Sequence, residues 1–168
     1  MVNANFIRGT MRLRIAGALL LVPLTVRAQS LELVGEKGVT RTLSVAELGA
    51  LPQSEVTVTE KEGAKVVFRG PTLRSLVNLV GAPTGHEFRG PNMLLAILAT
   101  ATDGYRAAYM LAEVDEGFGN KNAILAISQD GAELPAKEGP FRVVMPGEEH
   151  RARWIRMVKS LSLVRVGN

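Results

Sequence analysis

The sequence predicts an α+β domain rich in short strands, and three observations carry that reading. Two-residue alternation recurs along the chain, as in Leu31-Glu32-Leu33-Val34 and Val56-Thr57-Val58-Thr59, and a period of two puts alternate side chains on opposite faces of a sheet. The clearest helical stripe lies over Thr72 to Val80, with Leu73, Leu76, Val77 and Val80 at i, i+3, i+4 and i+7. Asp103-Gly104 and Asp130-Gly131 fall between apolar runs, where tight hairpin turns favour Asp-Gly.

In order, Leu31 to Val34 reads as a strand that turns through Gly35 to Gly38 toward Arg41-Thr42-Leu43. Ser44-Val45-Ala46-Glu47 has the spacing of a capping box and opens a short helix stopped by Pro52. Val56 to Thr59 pairs across a turn at Gly63 with Val66-Val67-Phe68. The Thr72 helix has its N-cap at Thr72 and its stop at Gly81 and Pro83. Met93 to Ala99 is continuously apolar, as in a central strand, and Asp103-Gly104 turns it into Tyr105 to Tyr109. A helical turn without a cap fits Leu111 to Glu116. Ala123 to Ile127 follows as a buried strand, Ala132 to Gly139 as a polar loop, and Phe141 to Met145 and Leu161 to Val166 as closing strands.

Residues 1–28 have the form of a secretory signal. Arg8, Arg12 and Arg14 precede an apolar segment from Ile15 to Val26, and Val26-Arg27-Ala28 ends in a small residue, so that cleavage would leave Gln29 first. The apolar segment, about twelve residues, is short of the roughly twenty that cross a bilayer, so no stable membrane anchor is expected. Arg12-Leu13-Arg14 is not a twin-arginine pair, which points to general secretion of an unfolded chain and a periplasmic or secreted location. Residues 29–168 then form a single domain. The formal charge of +4 comes from the leader's four arginines; the remainder is near neutral, and nothing argues for nucleic acid. The chain has no cysteine, so packing alone must hold an exported fold.

The segment Pro146-Gly147-Glu148-Glu149-His150-Arg151-Ala152-Arg153-Trp154-Ile155 lies between two apolar runs and holds the sole tryptophan. His150, Arg151 and Arg153 can present donors to an anion, since guanidinium groups pair with phosphate in a planar, bidentate way. The plainer alternative is a solvated loop whose arginines pair with Glu148 and Glu149. Trp154 walls a pocket or packs in the core. Asp103, Gly104 and Tyr105 form a hairpin turn or line a ligand site, with Arg106 beside them. His86 is a lone loop histidine. Glu113, Asp115 and Glu116, like Glu148, Glu149 and His150, lack the spacing of EF-hand or zinc sites. Met93, Met110, Met145 and Met157 read as core filler, and no serine sits in a nucleophile elbow.

Three of these segments, in order, resemble the sulfite-oxidase-type oxidoreductase molybdopterin-binding domain family: Phe68-Arg69-Gly70-Pro71-Thr72-Leu73-Arg74-Ser75-Leu76, Ala101-Thr102-Asp103-Gly104-Tyr105 and Arg153-Trp154-Ile155. The resemblance implies the family's strand-rich mixed-sheet fold with a few short helices. It also implies a pocket made by Thr59 to Lys61, Asp103 to Arg106 and His150 to Trp154, with His150, Arg151, Arg153, Trp154, Tyr105 and Arg106 as its binding residues. Enzymes of the family hold molybdenum through a cysteine thiolate just after the strand that matches Val56 to Thr59; this chain has Glu60-Lys61-Glu62 there. A carboxylate is a harder donor than a thiolate and an ammonium is no donor. The expectation is therefore an accessory or ligand-binding module without thiolate-held molybdenum, taking a small anionic or pterin-like ligand and no metal. The alternative is a periplasmic molybdopterin-dependent oxidoreductase with a cysteine-free site, so whether the chain is an enzyme stays open, as does its protein partner.

Overall fold

The computed structural model describes residues 29–60, 62–119 and 121–167; the expected leader and cleavage point, and Lys61, lie outside them. The first hairpin forms as expected, pairing β1 (Ser30–Val34) antiparallel with β2 (Thr40–Ser44), Leu31 opposite Leu43. The capping box forms in full. Ser44 Oγ accepts from the Glu47 amide, and the Glu47 carboxylate accepts from the Ser44 amide at 2.8 Å, opening α1 (Val45–Ala50).

Next come β3 (Ser54–Thr59) and β4 (Lys65–Gly70), an antiparallel pair. Gly70 ends β4 where the chain crosses Leu125: a Cβ there would stand 1.9 Å from the Leu125 carbonyl oxygen, so no larger residue fits. The helix α2 (Leu73–Asn78) starts on the Thr72 cap, whose side chain accepts from the Ser75 amide. It is shorter than the stripe predicts. Its last turn tightens through Leu79 and Val80 before Gly81 takes a positive φ of 85°. Leu73, Leu76 and Val77 are fully buried, each worth about 2 kcal/mol against exposure.

Met93 and Leu94 are not in the central strand. They close a 3-10 helix, Gly90–Leu94, and the strand β5 (Leu95–Ala101) starts later and runs further than its apolar content suggests. Pro91 presets the helical turn, and a continuous apolar run carries no period to mark the boundary. The Asp103-Gly104 turn, with Gly104 at φ 88°, leads into β6 (Arg106–Met110), and α3 (Leu111–Val114) follows without a side-chain cap. Then come β7 (Ile124–Ala126), β8 (Ser128–Gln129), β9 (Ala132–Glu133), β10 (Arg142–Val144) and β11 (Val158–Arg165). β9 begins inside the expected polar loop because Asp130 and Gly131 both take positive φ, closing a two-residue hairpin.

The strands make a mixed five-stranded sheet in the order β2-β1-β11-β5-β6, a four-stranded sheet β3-β4-β8-β9 and a β10-β7 pair. Only β1 with β11 is parallel among the described pairs. One apolar core, which includes Phe68, Leu76, Ile97, Tyr109, Ile124, Phe141 and Leu161, joins these sheets. At its margin Arg74 is buried, an unforeseen charge on the helix. Its Nε donates to Asp115 at 2.8 Å, its Nη1 to Asn78 and its Nη2 to the Pro83 carbonyl, while its guanidinium lies over Phe88. Among the described residues no helix is long and apolar enough to cross a membrane.

Candidate functional site

The segment from Pro146 to Trp154 leaves β10 through Gly147, at φ 79°, and winds into a 3-10 turn, Arg151–Arg153. The Trp154 ring is 5 % exposed, packs edge-on against Phe68, and has Arg142 and Arg151 over it at 5.7 and 4.8 Å. Both sequence readings of Trp154 thus hold: it is core, and it is also a wall.

Two cavities meet at that wall. The larger, about 990 Å³, lies between Thr57 to Glu60 of the β3 end and the segment Pro146 to Ala152. The smaller, about 270 Å³, is bounded by Asp103, Tyr105, Arg156 and Met157. Arg151, Ala152 and Trp154 line both. The structure therefore brings Thr59, Glu60, His150, Arg151 and Trp154 together, and it puts Asp103 and Tyr105 on the other side of the same ridge. Arg106 and Arg153 line neither cavity. Asp103 also serves its turn, accepting from the Tyr105 amide at 2.9 Å, and the Tyr105 hydroxyl donates to the Ala152 carbonyl at 2.9 Å.

The arginines are engaged by carboxylates. Arg151 Nη1 donates to both oxygens of Glu60 at 2.7 Å, and its Nη2 reaches the Thr59 carbonyl at 3.3 Å. Arg153 holds Glu148 through Nε at 2.8 Å and through Nη2, and its Nη1 reaches Glu113 and the Ala108 carbonyl, each at 3.2 Å. Partial burial opposes the Arg153 charge, but the hydrogen bond to Glu148 and the charges of Glu113 and Glu148 outweigh it and hold its pKa above the ordinary value. The sequence alternative was right about Glu148 and silent about Glu60 and Glu113, which are 91 and 40 positions away from their partners. Glu149 is not among the arginines' partners.

Tyr109 was missed as a site residue. It is fully buried, donates its hydroxyl to the Arg153 carbonyl, and lies under the Arg153 guanidinium at 5.3 Å. Desolvation raises its pKa well above that of a free tyrosine, against the pull of Arg153. The alternation of β6 could have found it, since Ala107 and Tyr109 share the buried face. Two buried atoms of the site have no partner among the described residues: Trp154 Nε1 and Glu148 Oε2.

The model of the oxidoreductase molybdopterin binding domain matches residues 10–166. The chain belongs to that family. The crystal structure of the sulfane dehydrogenase SoxCD from Paracoccus pantotrophus superposes with a TM-score of 0.60 at 15 % identity, over 83 % of this chain and 39 % of that one. At that identity the likeness shows the fold, which is the strand-rich mixed-sheet α+β arrangement predicted. No curated protein matches the chain.

After β3 comes Glu60, committed to Arg151, and the chain has no cysteine. No group of three or more histidine, cysteine or acidic side chains is placed to hold a metal ion among the described residues. The donor set does not fit a thiolate-ligated molybdenum centre, because hard carboxylates already bound to guanidinium groups do not replace a soft sulfur.

Proposed function

We propose that this molybdopterin-binding-type domain works as an exported accessory or ligand-binding module that keeps the family's cleft without thiolate-held molybdenum. The observation that supports it is the Glu60–Arg151 ion pair. It ties the turn after β3 to the segment before Trp154 and spends both side chains on each other. Of the proposed ligand site, Arg151 and Trp154 reach both cavities and His150 lines the larger, whereas Arg153, which lines neither, holds the segment's shape. A small anionic or pterin-like ligand would have to draw Arg151 away from Glu60.

The protein, purified from its own host under native conditions, provides the test. Metal analysis and pterin fluorescence are expected to find no stoichiometric molybdenum, and native mass spectrometry reads whatever travels with it. A stoichiometric molybdenum signal with turnover would replace this reading by the cysteine-free oxidoreductase.

A further inference from the structure

We propose that the outer edge of β3 is a docking groove for an extended, lysine- or arginine-rich polypeptide segment, which adds to the four-stranded sheet as a further strand. This rests on the binding-module reading and adds a polypeptide partner at the β3 edge, separate from the small ligand that competes with Glu60 for Arg151.

The register fixes which backbone groups face outward. Val67 donates its amide to Asp130 Oδ1 and accepts from the Asp130 amide, and the Arg69 carbonyl accepts from the Ile127 amide, so both residues point away from β3. Opposed residues in an antiparallel pair exchange both bonds or neither. Thr57 and Glu55, opposite Val67 and Arg69, therefore turn their N–H and C=O groups to the outer edge, and Thr59 continues the alternation. Two side chains confirm the direction: Asn122 reaches the Glu55 carbonyl at 3.4 Å, and Arg151 reaches that of Thr59. Between them Thr57 presents both backbone groups, and it lines the cavity of about 990 Å³.

The other sheet edges differ. No residue of β6 lines either cavity of the site, and its Ala108 carbonyl is taken by Arg153. β9 is two residues long, and β2 borders neither cavity of the site. Along β3 the cleft is faced by Thr57 to Thr59, and Thr57 keeps both outward backbone groups without a hydrogen-bond partner among the described residues. An added strand pairs there and displaces Asn122 and Arg151 from the flanking carbonyls, as in strand addition, in which backbone bonds give affinity and flanking side chains give selectivity.

Charge selects the partner. Glu60 offsets Arg151 and Glu148 offsets Arg153, leaving Glu62 and Glu149 on the cavity wall without an ion-pair partner among the described residues. A cationic segment is attracted there and an acidic one repelled. Val58 and Trp154 offer apolar contact to its alternate side chains.

The probe is a fluorescein-labelled peptide of about ten residues alternating lysine with valine, long enough to span a typical strand. Saturable binding that weakens with salt is expected. Methylating the alternate backbone nitrogens that would face β3, or substituting Thr57→Pro, should weaken it by about tenfold or more. That proline removes an outward N–H and leaves the ladder to β4 intact. Should the proline variant fail to fold, hydrogen exchange in the unmutated protein gives the same answer through slowed exchange at Thr57 and Thr59 when peptide is added. The proposal is overturned by no saturable binding, by binding indifferent to N-methylation, by equal binding of a glutamate–valine peptide, or by unchanged exchange at those amides. Such a failure without molybdenum in the native protein removes this inference alone; stoichiometric molybdenum removes the accessory reading beneath it.

Discussion

The edges of β6 and β3 border the same segment, Pro146 to Trp154, and are treated in opposite ways. At β6, Tyr109 is buried and anchors the Arg153 carbonyl, while Arg153 covers the Ala108 carbonyl and carries Glu148 and Glu113. At β3, one long side chain crosses the gap, that of Arg151, and it is about one-third exposed, as is its partner Glu60. A sheet edge is closed here by an aromatic anchor with a satisfied polar tip. Charge pairing alone leaves the other edge accessible, since a half-exposed ion pair contributes little to stability.

The largest break in this contrast comes from the wall between the cavities. Trp154→Ala should destabilise the fold by about 4 kcal/mol, as large-to-small changes in a packed core do, read by circular dichroism during urea unfolding. Arg153→Ala should cost about 2 kcal/mol, because it takes hydrogen bonds from a nearly buried Glu148 and uncovers the β6 edge; hydrogen exchange should quicken at the outward amides of β6. Tyr109→Phe, which deletes one hydroxyl, should cost about 1 kcal/mol at neutral pH.

Tyr109 also sets an alkaline limit. Its folded-state pKa is raised, so its contribution is complete below the ordinary tyrosine value of 10.0 and is lost as pH rises through and beyond it, because the unfolded chain releases the proton first. Unfolding midpoints followed above that value should fall more gently in Tyr109→Phe than in the unmutated chain. The smallest effect belongs to the open edge. Glu60→Gln should change stability by no more than about 1 kcal/mol, measured by the same urea titration, and a larger loss would mean that both edges are closed with comparable strength.

What the sequence makes legible is local. The capping box at Ser44 and Glu47, the Thr72 cap and the two Asp-Gly turns each follow from residues within four positions of one another, so their chemistry is written in one short window. The start of β5 was misplaced because Met93 and Leu94 are as apolar as the strand they precede. The parallel pairing of β1 with β11, the Arg151–Glu60 pair and the Arg74–Asp115 pair join residues far apart in the chain. Composition and period carry no information about which distant carboxylate an arginine meets. The site was therefore found as a segment, from Pro146 to Trp154, while its division into two basins and the anchoring role of Tyr109 emerged only with the fold.

Because Trp154 is the sole indole in the chain and borders both basins, its ultraviolet emission is a built-in optical gauge of the cleft. Arg151 lies over one ring that both chambers share. Anything entering either chamber, or prising Arg151 from Glu60, would alter the intensity or colour of that single emitter without any dye attached.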